Sequence, residues 1–224
     1  MTEETTFQLD KDMIREGLGK YTRKAFHMLP ELDKPLILDV GCGSGVPTME
    51  LARLSNGQII GLDIDQPHLD RLARKIKQAG LSDRIKTVNC SILDMDFPDE
   101  SLDIIWAEGS IWIIGFERGL REWRRFLKPN GFLVVHDDIG NITEKLDKLV
   151  SSCGYDLLEY FTLGEDTWWM EYYAPLEKRI NEIRTKHADN PEALAELGSD
   201  QREIDMFKKN PGRYGSVFFI MQKR

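Results

Sequence analysis

The chain alternates between short apolar runs and longer stretches in which apolar residues recur every three or four positions. The short runs predict buried strands, and the longer spacing predicts amphipathic helices. Alternation of this kind is typical of a parallel sheet whose strands are joined by crossover helices. The predicted strands cover residues 36–40, 58–62, 84–89, 102–106, 131–136, 155–161 and 215–222.

The helical stretches lie between these strands and at two further places. A leader before the first strand predicts one amphipathic helix over residues 11–29, ended by Pro30. The predicted crossover helices cover residues 47–54, 67–79, 116–127 and 143–153. Between the sixth and the last strand, about 50 residues that are rich in charge have a helical pattern, with breaks at Asn190–Pro191 and Asn210–Pro211. We interpret them as a helical cap inserted before the last strand.

Composition and charge narrow the class of partner. The net charge of -8 argues against a dedicated nucleic-acid binder, because lysine and arginine hold a phosphate backbone. The one basic candidate stretch, residues 118–128, spreads its charges around more than one helix face. No apolar run is long enough to span a membrane and the start lacks a signal-peptide pattern. Three widely spaced cysteines without a CxxC pair favour a cytoplasmic protein with reduced thiols.

The strongest local signal is the turn after the first predicted strand, Asp39-Val40-Gly41-Cys42-Gly43-Ser44-Gly45. Glycines let a ligand approach the backbone, and the N-terminus of the following helix offers free N–H groups to a negative group. The dinucleotide fingerprint would need a further glycine at position 46 or 48, where the chain has Val46 and Thr48. No GK[ST] follows, so a phosphate-binding P-loop is also excluded.

Two carboxylates indicate what the ligand carries. Asp39 at the loop would repel a pyrophosphate and attract a cation. Asp63 ends the second predicted strand, where an acidic side chain of a doubly wound sheet binds ribose hydroxyls. An ammonium group, a carboxylate, a ribose and a base together fit this pattern, and S-adenosylmethionine has all four.

Four motifs then occur in order: LDVGCGSG at 38–45, GLDID at 61–65, DFPDESLDIIW at 96–106 and FLKPNGFLVVHD at 126–137. With them the chain resembles the class I S-adenosylmethionine-dependent methyltransferases, in the small-molecule branch similar to the ubiquinone and menaquinone enzymes. The resemblance covers roughly residues 35–137. It implies an α/β fold: a doubly wound, seven-stranded Rossmann-like sheet, mostly parallel, with the last strand antiparallel and a helical cap before it.

On this basis we expect one methyltransferase domain over residues 1–224. Its expected parts are a leader helix at 1–34, a cofactor-binding core at 35–161, the cap at 162–212 and the last strand at 213–224. The length suits a single domain, because independent cores typically need about 100 to 200 residues each.

The resemblance also implies a cofactor site. Asp39, Gly41, Gly43 and Gly45 would hold the methionine end, Asp63 the ribose, and Ile64 would pack on the adenine. Ser91 stands where the family usually has an acidic residue for the adenine amino group. The backbone N–H of Ile92 would serve the adenine ring nitrogen, and the leader would contribute Tyr21 and Thr22 as contacts.

The end of the fourth predicted strand should lie beside the transferable methyl, which makes Trp106 a candidate substrate contact and Glu108 a candidate catalytic residue. His136, at the end of the fifth strand, is the second candidate base. The alternatives are that Glu108 binds the cofactor or caps a helix, and that His136 is an ordinary core histidine. The motifs of amino-methylating and cytosine-5 enzymes for nucleobases do not occur at this strand end.

The aromatic segment after the sixth strand has two readings. Trp168, Trp169 and Tyr172 could line a pocket for a flat or cationic acceptor, or they could attach the cap to the sheet. We expect no metal, since His136-Asp137-Asp138 with Asn141 lacks the order and spacing of a magnesium-dependent catechol-type site.

The sequence thus predicts an enzyme that moves a methyl group from S-adenosylmethionine to a small-molecule acceptor, with neither nucleic acid nor membrane as partner. One alternative is a catalytically weak S-adenosylmethionine-binding regulatory protein. Another is an RNA or protein methyltransferase. The acceptor and the oligomeric state are left open at this point.

Overall fold

The computed structural model describes residues 9–187, 194–195 and 197–224. A seven-stranded sheet in the order β3-β2-β1-β4-β5-β7-β6 forms its centre. The strands are β1 (Leu36–Val40), β2 (Gln58–Asp63), β3 (Ile85–Asn89), β4 (Leu102–Glu108), β5 (Leu127–Asp138), β6 (Tyr155–Leu163) and β7 (Ser216–Lys223).

The pairing of these strands confirms the predicted fold class. β1 pairs in parallel with both β2 and β4, β2 with β3, and β4 with β5, whereas β7 runs antiparallel to β5. The order reverses between β1 and β4, and ligands of open α/β sheets bind at such a switch point, outside the carboxyl ends of the strands. The last strand is inserted between β5 and β6, a neighbour relation that the hydrophobic pattern had not predicted.

Ten α-helical segments are described: α1 (Lys11–Glu16), α2 (Gly19–Phe26), α3 (Val46–Leu54), α4 (Gln66–Gln78), α5 (Phe116–Trp123), α6 (Ile142–Glu144), α7 (Val150–Ser152), α8 (Glu165–Trp168), α9 (Ala174–Lys186) and α10 (Gly198–Lys209). π-helical turns join α6 to α7 (Lys145–Leu149) and α8 to α9 (Trp169–Tyr173). Short 3₁₀ turns occupy Ile111–Ile113, Arg124–Phe126 and Pro211–Arg213.

The single leader helix predicted over residues 11–29 is wrong, because α1 ends at Glu16 and α2 begins at Gly19. The break falls at Gly17, whose N–H donates to the carbonyl of Ile14, while the N–H of Leu18 donates to that of Arg15. Glycine is a poor helix former and ends helices readily.

The fifth strand is longer than the pattern predicted. It starts at Leu127, where the 3₁₀ turn Arg124–Phe126 ends the helix that had been expected to reach that residue. Asn130 has a φ of 61°, and the register of β4 against β5 shifts between Leu102 and Ile104. The apolar pattern is interrupted at this irregularity, which is why only residues 131–136 looked like a strand.

The described chain divides into two compact units, each with its own core. One unit comprises Gly19–Thr162 and Ser216–Arg224 and contains the sheet. The other comprises the residues up to Leu18 together with Leu163–Gly215 and contains the cap. α1 thus groups with the cap and α2 with the sheet, which divides the predicted leader between the units. That both units form one methyltransferase domain stays a prediction.

The cap is helical as predicted, and α10 ends at Lys209, next to the predicted break at Asn210–Pro211. The predicted break at Asn190–Pro191 and the first eight residues of the leader lie outside the described residues. No helix in the described ranges is both long and apolar enough to cross a bilayer.

We predict that Gly57→Ala strongly destabilises the protein. A Cβ at Gly57 would lie 2.0 Å from the carbonyl oxygen of Pro35, where the chain enters the β1–β2 pairing. Because backbone cannot yield as a side-chain end can, the free energy of unfolding should fall by about 3 kcal/mol. Urea unfolding followed by circular dichroism measures the change.

Gly198→Ala is the matched control. This glycine is in the first turn of α10, and its Cβ would meet only the end of the Arg202 side chain, at 3.5 Å. Alanine is a better helix former, so the stability should stay the same or rise slightly. Equal stability of the two variants would contradict the close approach at Gly57.

Candidate functional site

The loop between β1 and α3 contains three glycines that meet different surroundings. Gly41, Gly43 and Gly45 all have positive φ, at 70°, 54° and 82°. A Cβ at Gly41 would lie 2.5 Å from Cβ of Ser110, and one at Gly45 would lie 2.2 Å from Cδ1 of Leu72. A Cβ at Gly43 would meet nothing within 4 Å. Two of these glycines therefore allow close packing, and Gly43 leaves its backbone open to a ligand.

The backbone N–H groups of three successive loop residues are hydrogen-bonded inside the protein. The N–H groups of Gly41 and Cys42 donate to the carbonyl of Leu62, at 2.7 and 3.0 Å. The N–H of Gly43 donates to Oδ2 of Asp63 at 2.8 Å. These bonds fasten the loop to the end of β2. They stabilise its shape before any ligand arrives.

Asp39 lies beneath the loop and is 1% exposed. Its Oδ2 accepts a hydrogen bond of 2.6 Å from the hydroxyl of Thr48 in the first turn of α3. Burial raises the pKa of Asp39 to about 7; the Thr48 hydroxyl acts in the opposite direction, and nearby Glu108 and Asp63 raise it further. Asp39 thus acts on the loop through Thr48, and its predicted contact with the methionine end stays a prediction.

Asp63 is the last residue of β2, and Ile64 follows it. Asp63 accepts the N–H of Asp65 at Oδ1 (2.9 Å) and that of Gly43 at Oδ2, and a carboxylate has room for further donors. Ile64 is 70% exposed, and the Asn89 amide donates to its carbonyl at 2.9 Å. An exposed isoleucine beside a strand-end aspartate suits the predicted ribose and adenine contacts.

Ser91 and Ile92 lie in the turn after β3. The Ser91 hydroxyl accepts the N–H of Leu93 at 3.1 Å, and its carbonyl accepts the N–H of Asp94 at 3.0 Å. The side chain of Ile92 is buried in the core of the sheet unit. The Ser91 hydroxyl thus closes its own turn, and its predicted contact with the adenine stays a prediction.

Glu108 ends β4 and is held by two donors. The Thr22 hydroxyl and the Trp106 indole N–H both donate to Oε1, at 2.8 and 2.7 Å. Burial raises the pKa of Glu108 to about 7, against the lowering effect of these two bonds. A carboxyl group with this pKa can exchange a proton near neutral pH.

Trp106 does not fit its predicted role as a substrate contact. It is 0% exposed in the sheet core, and the Phe26 ring of α2 lies 6.3 Å from it. Its indole N–H is already bonded to Glu108. Trp106 is therefore a core residue that orients the Glu108 carboxylate. The sequence alone could not distinguish this role from ligand binding, because both place a tryptophan near the end of a strand.

His136 is the cross-strand partner of Glu108 in the β4–β5 register. Its Nε2 lies 2.8 Å from the Ser216 hydroxyl, and its ring stacks on Phe218 with centroids 4.1 Å apart. Burial lowers the pKa of His136 to about 3, so the ring is neutral at physiological pH. A neutral, stacked imidazole of such low pKa is a weak base, which favours the core alternative over the catalytic one.

The cap aromatics pack into the core of their own unit. Tyr172 is 6% exposed, with the Trp168 ring at right angles to it at 5.9 Å. Trp169 stacks on Phe207 at 5.8 Å, with Lys208 above its ring. Tyr172 is therefore buried within the cap unit, and its predicted contact with an acceptor stays a prediction. Trp168 and Trp169 contribute first to the cap's own stability.

Sequence reasoning missed Trp112 and Ile113, which follow Glu108 on the 3₁₀ turn Ile111–Ile113. Their side chains are 68% and 50% exposed, whereas Ile111 is fully buried and anchors the turn. The Trp112 indole N–H donates to the carbonyl of Gly109 at 3.0 Å, so its ring presents only an apolar surface. The signal was the apolar run Ile-Trp-Ile-Ile directly after a strand that ends in an acidic residue.

No group of three metal-ligating side chains occurs in the part of the chain that the structure describes. The buried Asp137 instead pairs with Lys145, at 2.8 Å from Oδ2 to Nζ.

Comparison with known proteins agrees with this geometry. Residues 37–131 match a family model described as a methyltransferase domain. The matched segment runs from β1 into β5 and includes the glycine loop, Asp63 and Glu108.

Among curated proteins, sterol 24-C-methyltransferase ERG6B of Gibberella zeae is 35% identical over 102 residues, which are 45% of this chain and 27% of that protein. The chain spans about a third of the length of such relatives. A putative sarcosine dimethylglycine methyltransferase from Galdieria sulphuraria superposes with a TM-score of 0.75 at 22% identity, covering 92% of this chain and 85% of that one. The [4+2]-cyclase SpnF gives a TM-score of 0.73 at 22% identity, covering 92% and 80%. These structures share the fold.

The residues present fit S-adenosylmethionine. Asp39, Asp63 and Glu108 bring three carboxylates to one edge of the sheet, and burial makes the charge on Asp39 and Glu108 costly. A sulfonium and an ammonium group would offset that charge. The open backbone at Gly43 leaves the space that such a ligand needs.

We predict that alanine separates the roles of the loop glycines. Gly45→Ala should lower the melting temperature strongly, because its Cβ overlaps Leu72. Gly43→Ala should cost only the strain of a left-handed alanine, about 1–2 kcal/mol, but weaken S-adenosylmethionine binding at least about tenfold. Calorimetry and thermal unfolding measure the two effects. Binding by Gly43→Ala at the affinity of the unaltered protein would contradict the assignment.

Proposed function

We propose that this chain, whose residues 37–131 match a methyltransferase-domain model, is a class I methyltransferase that transfers a methyl group from S-adenosylmethionine to a small-molecule acceptor. One observation carries the proposal: the open backbone of Gly43 lies in a loop fastened to Asp63, on the sheet edge that also presents Glu108. This arrangement joins a cofactor cradle to a carboxyl group that titrates near neutral pH.

The roles of the cofactor residues follow from their surroundings. Asp63 binds the ribose hydroxyls, and the exposed Ile64 covers the adenine. Gly43 lets the methionine end lie against the backbone, and Asp39 stabilises that loop through Thr48. When bound, the cofactor supplies an electrophilic methyl group on a positively charged sulfur.

The chain's contribution to the chemistry is positioning and proton removal. Methyl transfer is an in-line displacement, so the acceptor atom must be held on the line of the breaking bond. Glu108 lies at the carboxyl end of β4 and is the described residue whose burial and pKa best suit proton removal from an acceptor. His136 orients the strand ends around it through Ser216 and Phe218.

The acceptor that this site favours has an apolar body. Trp112 and Ile113 present apolar surface one turn beyond Glu108. Large exposed apolar side chains beside a polar centre are typical of ligand sites. The similarity to sterol methyltransferases and the resemblance to the ubiquinone and menaquinone branch both support an acceptor of this kind.

The arginines of the basic stretch argue for a small molecule rather than a nucleic acid. Arg118 and Arg121 pair with Glu122 and Glu117 along α5, at 2.5 and 2.8 Å. Arg125 pairs with Asp99 at 3.4 Å. Lys128 pairs with Asp103 in the same way, so four of the five cations of this stretch have acidic neighbours, which weakens the basic stripe that RNA methylation would need.

A second candidate is a protein that binds the cofactor without transferring its methyl group. The similarity in fold to SpnF favours this candidate, because SpnF is named a [4+2]-cyclase and not a methyltransferase. The free thiols of Cys42, Cys90 and Cys153 agree with the cytosolic setting that we propose for either function.

We predict that the protein binds S-adenosylmethionine and that Asp63→Asn weakens binding about tenfold to a hundredfold, the range of a lost hydrogen bond to a charged group. Calorimetry measures the affinity. The control is Asp156→Asn, an exposed β6 residue that pairs with Arg224. Labelled cofactor with a metabolite extract, followed by mass spectrometry, separates the two candidates. Absence of binding would refute both, and binding without any labelled product would support the second.

We predict that Trp112→Ala raises the KM for the acceptor found in that screen about tenfold or more, because a large apolar contact is lost. The cofactor affinity should stay unchanged. Steady-state kinetics with each substrate varied in turn measures both. A loss of cofactor affinity equal to the rise in KM would show that Trp112 supports the fold of the site rather than acceptor binding.

A further inference from the structure

Glu108 is held asymmetrically. Thr22 and Trp106 both donate to the same oxygen, Oε1, at 2.8 and 2.7 Å. Oε2 receives no hydrogen bond from the described residues. Two donors on one oxygen fix the plane and direction of a carboxylate and leave the other oxygen to a partner from outside the chain.

We propose that Thr22 is a positioning residue of the reaction: with Trp106 it holds Oε1 of Glu108 so that Oε2 accepts the proton of the methyl acceptor. This inference rests on the function proposed above. It names the acceptor class as one that loses a proton on methylation, a hydroxyl, thiol or amine. The leader helix thereby becomes part of the reaction centre.

α2 is well placed to hold this geometry. Thr22 is 2% exposed, so water competes little for its hydroxyl. One turn on, Phe26 packs against Trp106, the second donor to Oε1. Arg23 on the same helix pairs with Glu50 of α3 at 2.8 Å. These contacts tie α2 to the sheet unit on both sides of Thr22.

None of the charged groups that the structure describes around Glu108 stabilises its ionised form, so that form depends on the two hydrogen-bond donors, Thr22 and Trp106. On α2, Arg23 is paired with Glu50, and Lys24 lies over the Phe161 ring at 4.0 Å. On β5, His136 is neutral. On β1, Asp39 repels a negative Glu108. Within the described residues no cation is paired with Glu108, so hydrogen bonds are its stabilising contacts.

The proposed step balances. A lone pair of the acceptor heteroatom forms a bond to the methyl carbon, and the carbon–sulfur bond breaks with its electron pair going to sulfur. The acceptor proton passes to Oε2 of Glu108. A sulfonium cation, a neutral acceptor and a carboxylate become neutral S-adenosylhomocysteine, a methylated product and a neutral carboxyl group.

The sign of the effect of Thr22 follows from the species it stabilises. A hydroxyl that donates to a carboxylate favours the ionised form and lowers its pKa, so removing it must raise the pKa. In Thr22→Val the pKa of Glu108 should rise from about 7 by about one pH unit, since hydrogen bonds to charged groups are strong. Thr22→Ser keeps the hydroxyl and should restore the original value.

Carboxyl titration by ¹³C NMR of glutamate-labelled protein measures this directly, with Glu108 identified by the resonance lost in Glu108→Gln. Thr87→Val, on the exposed edge strand β3, is the matched control and should leave the midpoint unchanged. The labelling rate is measured against pH with S-adenosylmethionine and a pooled panel of phenols, alcohols, thiols and amines. Its acidic limb should move to higher pH in Thr22→Val by the same amount as the NMR midpoint.

An unchanged or lowered midpoint in Thr22→Val, or no recovery in Thr22→Ser, overturns the proposal. A shifted midpoint with an unshifted rate profile also overturns it, because Glu108 would then titrate without taking the acceptor proton. Failure of the proposed function is distinct, since it appears as absent cofactor binding in calorimetry whatever the titration of Glu108 shows.

Discussion

Burial of negative charge at the carboxyl edge of the sheet is the constraint on which this site depends. Parallel strands that end together bring Asp39, Asp63 and Glu108 to one place. Removing carboxylates from water is costly unless donors or cations compensate. The protein supplies Thr48 to Asp39, the Gly43 N–H to Asp63, and Thr22 with Trp106 to Glu108. These donors compensate only part of the buried negative charge. A cationic ligand would compensate the rest.

The same compensation explains why the loop and the leader helix belong to the site. The glycine loop is shaped by its bonds to Leu62 and Asp63, and it takes that shape because Gly41 and Gly45 let Ser110 and Leu72 approach. Two contacts hold the leader helix α2 in place: the Thr22 hydroxyl donates to Glu108, and the Phe26 ring packs against Trp106. A ligand-binding edge thus forms from packing on one side and from hydrogen bonds to carboxylates on the other.

Most of the fold could be predicted from the chain, since each strand of a doubly wound sheet is a local apolar run and each crossover helix a local spacing. The site was predictable where spacing alone decides: Asp39 and Asp63 lie at the carboxyl ends of strands, and the glycines follow Asp39. The sequence could not decide where one residue type serves two purposes. Trp106, His136 and Tyr172 are equally suited to ligand sites and to cores, and only their burial among Phe26, Phe218 and the cap rings separates the two.

The sequence by itself determined the sheet, its parallel direction and the strand ends that carry the chemistry, because hydrophobic periodicity and glycine conformation act over a few residues. Tertiary structure decided which atoms of those residues are available. It placed two donors on Oε1 of Glu108, closed Asp39 beneath Thr48, stacked His136 on Phe218 and exposed Trp112. Each of these contacts joins residues that are distant in the chain. The free-energy cost of burying a charge or a ring therefore depends on tertiary packing, which a local sequence pattern does not contain.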